Sequence, residues 1–209
     1  LHRACKKVVL VNCSGSPVAL TPENSTCDAI LQAWYAGQEG GTAIADILFG
    51  DYNPSGKLPV TFYADDSQLP DFEDYRMAGR TYRYLDSAPL YPFGHGLSYT
   101  TFEIGKPVYK NGKVTVKVKN TGKNYGTETV QLYIRRTADT DGPDKSLRGY
   151  ARVDLKPGES KTVELPMPRE NFKNWDEQSQ TMAVVPGEYQ IMVGNSSSDN
   201  DLKSIKVRL

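Results

Sequence analysis

The sequence predicts a two-domain chain: an α/β part with an open, mostly parallel sheet, followed by an all-β antiparallel sandwich. Three observations carry that prediction. Two continuous apolar runs, Val8-Val9-Leu10-Val11 and Ala29 to Tyr35, have the pattern of parallel strands buried on both faces. The second run breaks at Gly37 and is followed by Ile44, Ile47 and Leu48 at helical spacing, which reads as strand, glycine turn, helix. After Phe102 the texture changes to period two, with Val114, Val116 and Val118 alternating with lysines and Val130, Leu132 and Ile134 alternating with polar residues. Tyr189, Ile191 and Val193 follow suit between Asn-Thr-Gly and Pro-Gly turns, the signature of a sandwich with one polar face per strand.

With 209 residues there is room for one large domain or two small ones. The 25 basic and 25 acidic side chains balance. No field of one sign is available to gather nucleic acid or an anionic membrane, so neither is expected as a partner, and a neutral substrate fits better. No apolar run approaches the roughly 20 residues that span a bilayer. Leu1 to Lys7 has neither a starting Met nor the apolar core of a signal peptide, and the chain is expected to begin inside something longer. Cys5, Cys13 and Cys27 are odd in number and lack zinc-type spacing, which argues against a disulfide framework and a metal site. They are expected to be small buried thiols.

In chain order, residues up to Lys7 read as the end of a helix. The run Val8–Val11 stops at Asn12-Cys13-Ser14-Gly15-Ser16-Pro17, a turn cluster. Ser14 and Ser16 invite a nucleophile reading, but the G-x-S-x-G elbow is absent, and loop geometry accounts for both. The turn Gly37-Gln38-Glu39-Gly40-Gly41 lies beyond the carboxyl end of a strand, where open α/β sheets bind ligands. Its glycine spacing fits neither phosphate-binding fingerprint. Glu39 stands just ahead of the helix. It is read either as a carboxylate held by the helix dipole and free backbone N–H groups, or as a residue that orders a loop facing a ligand. Gly50 to Gly56 closes the helix, and Leu58 to Tyr63 reads as a short strand. From Ala64 to Pro89 the sequence is polar, aromatic and without period, a long ordered loop. Within it Arg80, Tyr82, Arg83 and Tyr84 are suited to sugar stacking and hydroxyl binding, or equally to interdomain contacts. His95, between two glycines, is read as loop packing. Trp175 lies in a polar stretch and is expected to close the end of the sandwich.

Several long motifs give the chain a resemblance to a known family. They are Ala29 to Pro59, Gly79-Arg80-Thr81-Tyr82-Arg83-Tyr84 and Tyr91-Pro92-Phe93-Gly94-His95-Gly96-Leu97-Ser98-Tyr99-Thr100-Thr101-Phe102. Together they resemble the C-terminal region of glycoside hydrolase family 3 enzymes, and the likeness covers nearly the whole chain. Leu147-Arg148-Gly149-Tyr150, Leu155 to Ser160 and Asn174-Trp175-Asp176 are similar to the fibronectin type III-like module that ends many members.

The resemblance implies a division at 1–102, the second half of an α/β sandwich domain with its connecting loop, and 103–209, a fibronectin type III-like β-sandwich. Members are exo-acting, retaining β-glucosidases and β-xylosidases that need no metal or organic cofactor. They take their nucleophilic Asp from an N-terminal barrel and their acid/base Glu from sandwich-domain sequence ahead of the region present here. No catalytic residue is therefore assigned in this chain. The partners implied are that barrel, the first half of the sandwich domain and a plant-type oligosaccharide, and the compartment implied is periplasmic or secreted. Glu39, Gly40, Gly41, Arg80 and Tyr82 are the substrate-proximal or loop-ordering candidates. The motifs lean toward xylosidase-type members. The competing reading is a non-catalytic carbohydrate-binding or scaffolding module, and the sandwich itself is expected to be structural, without a sugar site.

Overall fold

The computed structural model describes residues 3–209. The chain divides into two compact units: residues up to Tyr52 with Leu58–Phe93, and Asn53–Lys57 with Gly94–Leu209.

In the first unit, strands β1 (Val9–Asn12) and β2 (Ala29–Gln32) pair in parallel, with Val9 opposite Ala29 and Asn12 opposite Gln32. Among the described residues no further strand joins them, so each keeps an unpaired edge. Helix α1 (Thr21–Thr26) lies between them and carries Pro22 in its first turn, where the missing N–H has no partner to lose. Helix α2 (Gly40–Phe49) follows β2 and ends at Gly50, whose left-handed φ of 87° lets its N–H reach the Ile47 carbonyl at 3.2 Å.

Three expectations are corrected here. Residues 3–7 form turns and bends rather than a helix end. Leu58–Tyr63 is not a strand: only Phe62 bridges Tyr91, because Pro59 lacks a donor and no extended neighbour runs alongside. Phe62 is nonetheless almost fully buried, with the rings of Trp34 and Tyr91 each 6.1 Å from its own. Finally, Cys5 and Cys13 are exposed and Cys27 is half-buried, since all three sit in turns or at a helix end rather than on a core face. The long loop contains a 3-10 turn at Asp66–Gln68 and one turn of helix, α3 (Thr81–Tyr84).

The second unit is a sandwich of two four-stranded sheets. Its strands are β3 (Phe102–Ile104), β4 (Val108–Lys110), β5 (Lys113–Asn120), β6 (Gly126–Arg136), β7 (Ser146–Leu155), β8 (Ser160–Pro166), β9 (Asn174–Asp176), β10 (Thr181–Ala183), β11 (Glu188–Gly194) and β12 (Leu202–Arg208). One sheet runs β12-β11-β6-β7; in the other β5 pairs with β3, β4 and β8; β9 and β10 form a small hairpin. The alternating residues named above meet between the sheets: Val114, Val116 and Val118 face Val130, Leu132, Ile134, Ile191 and Val193, all at most 2% exposed. A bulge between Leu132 and Tyr133 inserts Arg148 into β7. Trp175 does not close this core. Its place on the short hairpin leaves it 55% exposed, and Phe172 fills the end instead, edge-on to Tyr109 and Tyr189 at 5.7 and 5.3 Å.

Strand β11 pairs only with Gln131–Arg136 of β6, so Gly126–Val130 lacks that neighbour. Asn53–Lys57 comes in here. Asn53 Nδ2 donates to the Tyr125 carbonyl at 2.8 Å, and its Oδ1 accepts from Tyr99 N and Ser98 Oγ, each at 2.8 Å. Arg152 of β7 donates to Ser55 Oγ at 2.9 Å. Lys57 Nζ lies 2.9 Å from Glu128 Oε1, with the two side chains 13% and 5% exposed. The ammonium also donates to the Gly96 carbonyl at 3.0 Å; Glu128 accepts from Thr129 N at 2.8 Å and Asn195 Nδ2 at 3.1 Å. Gly94, at φ 78°, packs so closely that a Cβ would stand 2.1 Å from Gln131 Oε1. The compact unit that holds the sandwich thus takes in Gly94–Leu209 and also Asn53–Lys57, which the sequence suggested was part of a plain helix-closing turn.

Removing one member of a buried, hydrogen-bonded ion pair leaves the other uncompensated, which typically costs about 3–5 kcal/mol. Lys57→Ala is expected to destabilise the sandwich by that order in urea melts. Lys57→Met combined with Glu128→Leu should recover most of the loss, and a double variant no better than the single one would contradict the pairing.

Candidate functional site

The carboxyl ends of β1 and β2 bring together residues that the sequence left apart. Asn12 and Gln32, the last residues of their strands, stand opposite each other, and Asn12 Nδ2 donates to Gln32 Oε1 at 2.6 Å and to Ser14 Oγ at 3.0 Å. Gln32 Nε2 donates to the same hydroxyl at 3.3 Å, and Ser14 Oγ donates to the Ser16 carbonyl at 2.8 Å. With one donor and two lone pairs engaged, the Ser14 hydroxyl is saturated within its turn. The outer edge of this cluster is aromatic. The Tyr35 ring lies over Gly15, where a Cβ would meet Tyr35 Cε2 at 2.7 Å. Trp34 holds φ at 56°, a left-handed conformation that costs a bulky L-residue on the order of 1–2 kcal/mol. Such strain collects where the surroundings over-determine a site. Asn12, Gln32 and Trp34 were missed from sequence; the available signal was a polar amide ending each of two apolar runs.

The glycine turn leads from Trp34 into α2. Gly40 packs so tightly that a Cβ would stand 2.5 Å from Ala36 Cβ, while Gly41 is exposed with open space beside it. Glu39 occupies the N-cap position but its carboxylate accepts no backbone N–H; it accepts from Thr42 Oγ1 at 3.1 Å and is exposed. The capping expectation is corrected. With φ −89° and ψ 13°, Glu39 already has near-helical backbone, which turns its side chain away from the N–H groups of the first turn.

Arg80 and Tyr82 are held inside the loop. Arg80 Nε donates to the Arg76 carbonyl at 3.1 Å, and Nη2 donates to the carbonyls of Asp74 at 2.5 Å and Asp71 at 3.4 Å. Tyr82 stacks on Phe93 with ring centroids 4.5 Å apart, and its N–H donates to Thr61 Oγ1 at 3.0 Å. Between them Thr81 takes φ 58°, a left-handed outlier for a β-branched residue, with its N–H donating to Tyr63 Oη at 2.8 Å. No ion pair joins Glu39 to Arg80 among the described residues, nor does any group of three His, Cys, Asp or Glu there fit a metal ion.

In the second unit, His95 sits beside the Lys57 cluster. Burial lowers its pKa below the ordinary 6.5, the Lys57 ammonium adds to that shift, and Asp201 opposes it. Asp201 in turn accepts from Ser196 Oγ at 2.5 Å.

A parallel strand pair whose carboxyl ends carry a polar side-chain cluster is thus followed in sequence by an antiparallel sandwich. Residues 1–99 match the glycosyl hydrolase family 3 C-terminal domain, and residues 128–197 match the fibronectin type III-like domain. The chain belongs to glycoside hydrolase family 3, as its C-terminal region. It is 56% identical, over all of its length, to a xylan 1,4-beta-xylosidase of Xylanibacter ruminicola, of which it covers 25%. It is 44% identical over 92% of its length to a periplasmic beta-glucosidase of Salmonella typhimurium, of which it covers 28%. Among solved structures, a beta-glucosidase from Streptomyces venezuelae in complex with D-glucose superposes with a TM-score of 0.87 at 35% identity, over 100% of this chain and 29% of that one. The chain thus spans about a quarter of the length of the curated relatives it matches. No helix among the described residues is long and apolar enough to cross a membrane.

Because Glu39 bonds only an exposed hydroxyl, Glu39→Gln is expected to change stability by less than about 0.5 kcal/mol, as measured by chemical denaturation. For His95, the unfolded chain accepts the proton before the folded protein does. Its contribution to stability is complete above pH of about 6.5 and declines as pH falls from there toward the lowered folded-state pKa. Urea melts across that window should show a shallower decline for His95→Gln than for the unsubstituted chain.

Proposed function

We propose that this chain forms the C-terminal part of a retaining exo-β-glycosidase that removes terminal β-D-xylosyl or β-D-glucosyl residues from plant-type oligosaccharides. The observation that carries this reading is the 56% identity along the entire chain to a xylan 1,4-beta-xylosidase. The same likeness favours xylosides over glucosides. Retention needs two carboxyl groups roughly 5–5.5 Å apart, one nucleophile and one acid/base. In this reading both come from the remainder of the protein, its barrel and the first half of its sandwich domain, with no metal or organic cofactor.

The part played by residues 1–102 is to shape and hold loops beside the sugar. The saturated Asn12–Gln32–Ser14 cluster stiffens the carboxyl ends of β1 and β2, and the tight packing of Gly40 fixes the path of Gly37–Gly41. Glu39 and Gly41 are exposed, as are Gly37 and Gln38, so that this turn is free to meet substrate or a loop that covers it. Arg80 and Tyr82 are loop-ordering residues, since their guanidinium and ring are engaged within the loop. A periplasmic or secreted location is supported by the periplasmic relative.

Purified residues 1–209 are expected to give no turnover of aryl β-xylosides or β-glucosides, whereas the protein with its barrel should hydrolyse the xyloside with the higher kcat/KM. Stoichiometric turnover by residues 1–209 alone would refute the division of labour.

A further inference from the structure

A groove of about 320 Å³ opens on the sandwich unit, far in sequence from the crevice of the first unit. Its floor is the outer face of the β12-β11-β6-β7 sheet. Gln190 lies opposite Arg135 and Met192 opposite Ser204 in the strand register, and these alternate with the core residues Ile134, Ile191 and Val193. Its walls are two connections, the β6–β7 loop with Asp144 and Lys145 and the β11–β12 loop with Asp199.

The charges of the groove cancel in pairs. Arg135 Nη2 lies 3.5 Å from Asp144 Oδ1, and Lys145 is paired with Asp199. Lys145 is itself buried, 8% exposed, and donates to the Ser197 carbonyl at 3.0 Å. An ammonium has three N–H groups, so one remains beyond those two bonds. The Arg135 guanidinium has five, of which a 3.5 Å contact engages at most one. Gln190 and Ser204 add groups that both donate and accept, and the apolar members are Leu202 and the edge of Met192, itself 5% exposed.

This combination selects its ligand by exclusion. A free anion would meet two carboxylates, and a metal ion would meet a guanidinium and an ammonium. A wholly apolar ligand would strip water from six polar side chains without replacing it, at a cost. A neutral ring bearing adjacent hydroxyls supplies both donors and acceptors to these groups and lays its C–H face on Leu202 and the edge of Met192. The volume is at the small end of ligand sites, enough for one sugar ring or two.

We propose that this groove is a saccharide-binding subsite of the sandwich unit, taking one or two pyranose units. The assignment departs from the expectation that the sandwich is purely structural. It leans on the glycosidase reading only for where the sugar comes from: a free monosaccharide product or the end of an oligosaccharide. Without an aromatic platform the affinity is millimolar.

The test is an NMR titration of the full 209-residue chain with D-xylose, D-glucose, xylobiose and cellobiose, and with inorganic phosphate as the charged control. Saturable amide shifts centred on Gln190, Met192 and Ser204 are expected, with phosphate producing none there. Tighter binding of the disaccharides would identify an oligosaccharide end, and equal binding a free sugar. Gln190→Leu, half-buried on the outer face, should keep the fold and weaken binding by about tenfold, the loss of one or two hydrogen bonds. Lys145→Met should weaken it too, but Gln190→Leu decides the matter if Lys145→Met fails to fold. The proposal falls if no sugar shifts these amides, if the shifts map to other residues, if Gln190→Leu binds as before, or if phosphate competes. None of these readouts depends on turnover, so the groove and the glycosidase reading can fail separately.

Discussion

The Lys57–Glu128 ion pair is the constraint on which the sandwich end depends. Two charges withdrawn from water are tolerated only when their remaining donors and acceptors are also met, because the desolvation penalty otherwise exceeds the mutual attraction. Here the ammonium is shared with the Gly96 carbonyl, and the carboxylate is shared with Thr129 N and Asn195 Nδ2. Asn195 in turn offers its carbonyl to Gln131, whose amide also reaches the Gly94 carbonyl. One buried pair therefore ties together β6, the turn after β11, and two glycine-flanked segments. The glycines follow from this closeness: a Cβ on Gly96 would stand 2.1 Å from the Gly56 carbonyl oxygen.

The same network gives meaning to two motifs that had looked like ordinary turns. Asn53-Pro54-Ser55-Gly56-Lys57 has the composition of a helix-closing turn, and Gly94-His95-Gly96 that of a loop. In the fold they form a strap whose contacts, Lys57 with Glu128 and Asn53 with the Tyr125 carbonyl, fall on or just ahead of the half of β6 that β11 does not reach.

The sandwich was legible because each of its strands carries its own period-two signal, and Val114–Val118 and Val130–Ile134 needed no distant information to be placed. The parallel pair was legible for a related reason, since its runs are apolar on both faces. What escaped depends on partners remote in sequence. Leu58–Tyr63 has strand composition, yet Thr61 and Tyr63 serve as side-chain acceptors for the N–H groups of Tyr82 and Thr81 rather than as ladder members. Lys57 drew no reading of its own, because nothing local announces Glu128. Trp175 was given the end of the sandwich on composition, while Phe172, three residues earlier, occupies it. In the crevice, the glycine turn was found, but the Asn12–Gln32 pairing required knowing the register of two strands.

The strap has a consequence for biogenesis. Because Asn53–Lys57 belongs to the second unit while the residues on either side belong to the first, the chain passes between the two units three times. Domains tend to fold as units, N-terminal first, as they leave the ribosome. Lys57 emerges early and must remain without its counter-ion until Glu128 is made, and without the completed cluster until Asn195 follows. The two units are interleaved in the order of synthesis, so the first cannot be finished and set aside before the second begins. Strands made later close a unit in which Asn53–Lys57 was already waiting.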